Sequence, residues 1–264
     1  MNLDNLGTQL LFTTLPLWIE NNDNSKSTGT GFIYTLESKS GEGIVYPFLV
    51  TNYHVIHKAD RVLIEFIEGN DTGPVRDKKM RVELDGEFSR QFVDTSHDLA
   101  VIPLAPILNQ FASSGKTVFY RTISPNMIPT SEQANEFSAI EDVTFIGYPS
   151  GIYDFKNSSP LVRKGITSTP VWNDFKGEKC FLIDAGVFPG SSGSPVFIYN
   201  EGSYTTSQGI AIGSRLLFLG IISETIIRND GVSSNVYLGL GKVIKAQVLQ
   251  NFVSGIARQL ETVS

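Results

Sequence analysis

Residues 188–196 read Phe188-Pro189-Gly190-Ser191-Ser192-Gly193-Ser194-Pro195-Val196. Gly190 and Gly193 bracket a serine pair, let the backbone turn sharply and leave room for a second molecule to approach. Pro195 can open a strand, where its missing N–H is tolerated. A serine hydroxyl is a weak nucleophile until a base takes its proton, and attack on a carbonyl needs N–H groups aimed at the developing oxyanion. The stretch therefore suits a nucleophile loop; it also suits an ordinary Gly/Ser turn between strands. Ser191, Ser192 and Ser194 each touch one glycine, so glycine adjacency does not choose among them.

The histidines narrow the class. There are three, His54, His57 and His97, and all precede the serine stretch. An α/β-hydrolase carries its histidine after the serine, so that fold is excluded for this nucleophile. A subtilisin order needs an aspartate before the histidine; Asp4 and Asp23 qualify by position, but alternating strand–helix units are missing. What remains is His, Asp, Ser, the order of chymotrypsin-type folds. His54 follows the apolar run Phe48-Leu49-Val50, which places it at the mouth of a buried strand, whereas His57 reads as surface. Asp98 directly precedes Leu99-Ala100-Val101-Ile102. A carboxylate there can hold the imidazole tautomer and stabilise the imidazolium, with Asp94 as the alternative.

Outward from these residues, short apolar or alternating runs read as strands. The first set is Gly31–Tyr34, Tyr46–Thr51, Arg61–Phe66, Arg81–Leu84 and Leu99–Leu104. The second is Val143–Gly147, Arg163–Val171, Lys179–Ala185, Pro195–Tyr199, Leu216–Ile222 and Val236–Leu240. Turn-formers such as Glu68-Gly69-Asn70-Asp71 and Asn229-Asp230-Gly231 separate them. Ala105–Phe137 has poor periodicity and reads as a connection, with one helical turn near Ser131–Phe137. Ile244, Val248, Leu249, Phe252, Val253, Ile256 and Leu260 recur at intervals of three and four, one face of a terminal amphipathic helix packed on the second unit. The expected organisation is a β unit over 1–110 carrying His54 and Asp98, a linker over 111–137, a β unit over 138–240 carrying Ser192, and a helix over 241–264.

Composition agrees with a globular all-β chain. Of 264 residues, 41% are hydrophobic and 18% charged, enough for a substantial core. The formal net charge is −6, and the basic clusters Arg76–Arg81 and Arg163-Lys164 are short, so no nucleic-acid partner is expected. One cysteine, Cys180, permits no internal disulfide and reads as a buried thiol. The N-terminus lacks a positively charged leader region, and no run reaches 18 apolar residues, so a cytoplasmic location without a membrane anchor is expected. Thr28-Gly29-Thr30-Gly31 lacks the Lys-Ser/Thr ending of a phosphate loop, and no Cys/His cluster has metal-ligand spacing; no cofactor and no metal are expected.

Taken together these motifs resemble the trypsin-like serine peptidases, the bacterial HtrA-type branch more than the digestive branch. Thr30-Gly31-Phe32-Ile33 is similar to the family's opening strand, Thr51-Asn52-Tyr53-His54-Val55 to its Thr-x-x-His-Val, and Asp98-Leu99-Ala100-Val101 to its Asp-Leu-Ala-Val. Ile146-Gly147-Tyr148-Pro149-Ser150-Gly151 resembles its Ile-Gly-x-Pro-x-Gly turn, and Gly165-Ile166-Thr167-Ser168 its Gly-Ile-Val-Ser strand. Asp184–Pro195 is similar to its Asp-Ala-x-x-x-Pro-Gly-Asn-Ser-Gly-Gly-Pro, with the nucleophile at Ser192. Ser191 stands where digestive enzymes have an aspartate that pairs with a freed N-terminus, so that activation route is not expected; nor, with the last residue at 264, is a PDZ domain.

The resemblance implies two antiparallel six-stranded β-barrels of the chymotrypsin type, a C-terminal α-helix, and a site between the barrels. It implies His54, Asp98 and Ser192 as the catalytic set, the N–H groups of Gly190 and Ser192 as an oxyanion hole, and a protein or peptide substrate cleaved through an acyl-enzyme. It places Gly186 at the base of the side-chain pocket, with Leu219, Gly220, Ile221, Ile222 and Ser223 as the wall. Those side chains suggest an apolar P1 residue, and Glu224 at the rim would argue otherwise. The rival expectations are a silent binding module on the same fold and an effector released by a regulatory protein partner.

Overall fold

The structure is a computed structural model that describes residues 2–38, 41, 43–206, 209–228 and 236–263. The turn expected at Asn229-Asp230-Gly231 lies outside them. A short helix α1 (Leu6–Leu10), capped by the Asn5 side chain accepting from Thr8 N–H at 3.0 Å, leads into the first sheet. Its strands are β1 (Thr14–Asn21), β2 (Lys26–Glu37), β3 (Val45–Thr51), β4 (Ala59–Asn70), β5 (Gly73–Asp85), β6 (Phe92–Asp94), β7 (Leu99–Pro103) and β8 (Thr117–Phe119). Short helices α2 (Tyr53–Ile56), α3 (Gly86–Ser89) and α4 (Ala105–Ser113) lie between them. The order is β5-β4-β1-β2-β3-β7-β6, with β8 also pairing β4. This is one correction to the expected pair of barrels: among the described residues the first sheet is not closed.

The second half is a closed barrel. Helix α5 (Ser131–Asn135) precedes β9 (Asp142–Gly147), β10 (Leu161–Thr167), β11 (Cys180–Asp184), β12 (Pro195–Asn200), β13 (Ser203–Thr206), β14 (Gly209–Ile212), β15 (Arg215–Arg228) and β16 (Val236–Lys245). Six strands close in the order β10-β11-β16-β15-β12-β9, and β13-β14 form a separate hairpin. Helix α6 (Ala246–Val263) ends the chain, so Ile244 belongs to the last strand and not to the helix. None of the described helices is long and apolar enough to cross a membrane.

The unbroken apolar runs have a physical cause. Side chains alternate across a strand, so a run buried on both faces needs an apolar residue at every position. In β3, Leu49 faces a core inside the first sheet, while Phe48 and Val50 face a core between the halves. In β7, Ala100 and Ile102 take the inner core and Leu99 and Val101 the shared one. In β12, Val196 and Ile198 fill the closed barrel while Phe197 points to the shared core. Leu249, Val253 and Ile256 of α6 join that shared core beside Phe32 and Tyr34, so the helix packs on both halves and not on the second alone. The segment read as a linker carries α4 and β8 and contributes Ile123, fully buried, to the shared core.

Candidate active site

His54 is held by elements on either side of it. Strand β3 ends at Thr51, and α2 starts two residues later at Tyr53, with Asn52 as its N-cap. Val55 and Ile56 sink into the first core and fix the backbone that carries the imidazole. Asn52 is fully buried, and its side-chain N–H₂ donates to the Asp98 carbonyl at 3.0 Å. Tyr53 N–H donates to the same carbonyl at 3.2 Å. These bonds tie the β6–β7 loop to the start of α2, and Asp98 adopts φ 55°, a left-handed conformation costing about 1–2 kcal/mol in a non-glycine residue. The role of Asn52 as anchor of Asp98 had no sequence signal.

The result is a linear array. Asp98 Oδ1 accepts from His54 N–H at 2.9 Å, and Oδ2 lies 2.7 Å from His54 Nδ1. With the Nδ1 proton engaged there, Nε2 carries the lone pair and stands 3.0 Å from Ser192 Oγ. The Ser192 hydroxyl also has the Ser223 carbonyl at 3.0 Å, so its single proton has two acceptors to choose between. Asp94, the alternative carboxylate, is instead engaged with His97 Nδ1 at 2.7 Å and with Ser96. Burial works to raise the Asp94 pKa, and the hydrogen bonds from Ser96 and His97 outweigh it, leaving that pKa below the ordinary value. His57 is exposed and its Nδ1 lies against the His54 carbonyl.

The turn that presents Ser192 separates the three hydroxyls. Ser191 and Ser194 are 0% exposed, whereas Ser192 is partly exposed. Gly190 and Gly193 have φ of +85° and +88°, and a Cβ on Gly193 would sit 1.8 Å from the Thr30 carbonyl, so that position admits glycine alone. Thr30, fully buried on β2, staples the turn: its N–H donates to the Ser192 carbonyl, its hydroxyl donates to the Gly190 carbonyl, and that hydroxyl accepts from Tyr148 N–H, each at 3.0 Å. Two carbonyls of the turn are also held, Pro189 by Ser150 N–H at 2.7 Å and Ser191 by Ser194 N–H at 3.0 Å. In a trans peptide the N–H points opposite the C=O. The N–H groups of Gly190 and Ser192 are thereby turned away from these anchors, and neither has an acceptor among the described residues.

The expected pocket wall needs correction. Leu219 and Ile222 lie inside the closed barrel and Ile221 in the shared core, each at most 2% exposed. Gly220 sits within the sheet, paired with Val196 and Lys245. These four positions precede the register shift of β15 between Ile222 and Glu224, and Gly193 N–H donates to the Ile222 carbonyl at 2.9 Å. Ser223 does border the site, through its carbonyl on Ser192. The expectation of an apolar P1 residue, which rested on those buried side chains, loses its basis. Gly186 has a guanidinium as neighbour: a Cβ there would lie 2.9 Å from Arg163 Nη2. Thr225 donates to the Val187 carbonyl at 3.0 Å, bridging β15 to the segment after Gly186. Beside Asp98 and Ser223 opens a cavity of about 230 Å³, walled by His97, Glu178, Cys180 and Lys242. Lys242 lies 2.5 Å from Glu178 and 3.6 Å from Glu224, which is exposed.

A family model described as a trypsin-like peptidase domain matches residues 29–204. No curated protein matches the chain. Among solved structures, the HtrA-type protease AlgW with tripeptide is 18% identical with a TM-score of 0.52, over 98% of this chain and 64% of that one. HL collagenase is 14% identical with a TM-score of 0.51, over 94% of each chain. Likeness at these identities speaks for the shared fold, and the chain spans about 64% of the length of the HtrA-type structure it matches. The family match covers most of the chain, including both sequence halves of the site: this protein belongs to the trypsin-like peptidase family.

Proposed function

We propose that the chain is an endopeptidase that cleaves peptide bonds in protein or peptide substrates through an acyl-enzyme on Ser192. The observation that carries the reading is the array Asp98–His54–Ser192, with successive contacts of 2.7 and 3.0 Å and one reachable hydroxyl among three. Ser192 Oγ attacks the carbonyl carbon while His54 Nε2 takes its proton. Asp98 holds the Nδ1 proton in place and stabilises the imidazolium that forms. The carbonyl oxygen becomes an oxyanion, and the acceptor-free N–H groups of Gly190 and Ser192 receive it. His54 then returns the proton to the departing amine, and water, deprotonated by the same nitrogen, releases the acid and regenerates Ser192. The backbone beyond Ser223 offers an edge for an extended peptide, and the cavity beside Asp98 a place for one of its side chains.

The assembled array and its prepared N–H groups favour an enzyme over a silent binding module, because a module has no use for a hydroxyl aligned to within hydrogen-bond reach of a base. A fluorophosphonate probe tests the proposal. The wild-type protein should be labelled once, and Ser192→Ala should lose the label while retaining its melting transition. Label that persists in Ser192→Ala, or wild-type protein that never labels, contradicts the reading.

A further inference from the structure

The N–H of Gly190 faces an oxyanion only while the Pro189–Gly190 peptide keeps its present orientation. Rotating that peptide by half a turn would put the Pro189 carbonyl where the N–H now points, and glycine at 190 tolerates either setting. The bond that selects one of the two is Ser150 N–H to the Pro189 carbonyl, 2.7 Å. Ser150 is itself in a left-handed conformation, φ 51°, within the tight turn 148–151 that follows β9. What holds that turn is therefore part of the site.

The turn is gripped from the first half of the molecule. Tyr148 packs edge-on against Tyr153, ring centroids 5.4 Å apart, and its hydroxyl donates to the Thr14 carbonyl at 3.2 Å. Tyr153 in turn packs against Trp18 of β1 at 6.3 Å and Phe155 at 5.8 Å. Its hydroxyl donates to Glu65 Oε1 at 3.3 Å. Glu65, on β4, is 4% exposed and is flanked by Lys79 at 3.0 Å and Arg81 at 2.9 Å, both on β5. The Lys79 ammonium lies 3.4 Å from the centre of the Phe155 ring and 3.3 Å from the Tyr153 hydroxyl. Burying a carboxylate among cations is costly next to an apolar contact of the same size, so such a cluster favours fixed geometry over stability alone.

We propose that Glu65, Lys79 and Tyr153 form a clamp that positions the 148–151 turn and, through Ser150 N–H, keeps Gly190 N–H directed at the oxyanion. They touch no substrate; they act through the Pro189–Gly190 peptide, as positioning residues. The inference rests on the proposed role of Gly190. It links the outer face of the first sheet to the reacting centre in the second half, so a change at Glu65 alters the rate without altering the groove.

The test uses the full chain with Tyr153→Ala and the milder Tyr153→Phe, which keeps the rings and removes only the hydroxyl. Tyr153→Ala should lower kcat on a fluorogenic peptide by about 10- to 100-fold, part of the roughly 10²–10³ lost with a whole oxyanion donor, and leave KM within about twofold. Affinity for a peptide boronate, whose tetrahedral adduct needs the Gly190 N–H, should fall in step with kcat, while substrate binding to Ser192→Ala should be the same with or without the clamp change. Tyr153→Phe should show the same pattern with a smaller drop. An unchanged kcat in both variants, or a loss shared equally by KM and substrate binding, overturns the clamp. A second readout stands apart from catalysis: in protein labelled with ¹⁵N-glycine, the Gly190 amide should give one resonance in the wild type and a doubled or exchange-broadened one in Tyr153→Ala. An unperturbed Gly190 resonance overturns the clamp even where fluorophosphonate labelling has already disproved the protease reading.

Discussion

An imidazole serves a hydroxyl only if its own proton is already turned away, and in this protein one residue sees to that. Asp98 receives both the backbone N–H and the Nδ1 proton of His54, so the ring and its backbone are set by the same carboxylate. Asp98→Asn should leave the fold intact and lower kcat by about 10⁴ at neutral pH, because an amide can present its N–H₂ to Nδ1 and hold the wrong tautomer. Steady-state kinetics beside a melting curve check this; a loss under tenfold would remove Asp98 from the array. Thr30 matters in a different way. Its hydroxyl is buried and satisfies both Tyr148 N–H and the Gly190 carbonyl. Thr30→Val should cost about 1–3 kcal/mol in denaturant unfolding, since it strands a buried donor. Sequence order was enough to nominate His54 and Asp98, because a histidine and an aspartate at the ends of apolar strands leave few alternatives. Thr30, Asn52 and Tyr153 were not legible, because their contacts join residues far apart in the chain and no local pattern marks them.

At the scale of elements, two-faced burial made the central strands easy to read and obscured their borders. β3, β7 and β12 stand out as apolar runs because each serves two cores. β1 was missed: Thr13, Thr14 and Pro16 break its apolar run, and Pro16 is tolerated because pairing with β4 begins only at Leu17. The β13-β14 hairpin was missed because it covers no core; Ile210 and Ile212 are 78% and 92% exposed. The Thr130-x-x-Gln133 box that starts α5 was available in the sequence and locates that helix. The pocket wall failed for a related reason: alternation tells which face of β15 is buried but not where along the strand the site lies. Phe197, fully buried and 5.7 Å from Phe218, anchors the shared core, and Phe197→Ala should cost about 3–5 kcal/mol in denaturant unfolding. At the join of β16 to α6, Asp174 lies 2.5 Å from Lys179 and 2.7 Å from Lys245. Hydrogen bonds from Lys179 and then Lys245 pull the Asp174 carboxyl down to about 2. A depressed carboxyl adds stability above its unfolded value near 3.8 and loses it as pH falls through about 2. Asp174→Asn should therefore flatten the fall in stability across that window, measured by unfolding at successive acid pH values; an unchanged slope would contradict the assignment.

For the whole molecule, the shared core is what brings the site together. His54 and Asp98 come from the first sheet and Ser192 from the closed barrel, and the surfaces between them are lined by Phe32, Tyr34, Phe48, Phe197 and Phe218. Helix α6 closes this core with Leu249, Val253 and Ile256, and Ser38 beyond β2 donates to Glu261 of the helix at 2.7 Å. Leu249→Ala should cost about 2–5 kcal/mol, and because the helix spans both halves, melting should remain one transition and activity should be lost within it. The central claim is chemical: Ser192, and neither buried serine beside it, carries the acyl group. An ester substrate mixed with the protein and quenched in acid within milliseconds, followed by intact-mass and peptide mapping, tests it most directly. The account predicts one acyl adduct per chain, located on Ser192, absent from Ser192→Ala and slow to form in His54→Ala; an adduct on Ser191 or Ser194, or substrate turnover with no adduct in Ser192→Ala and wild type alike, would contradict it.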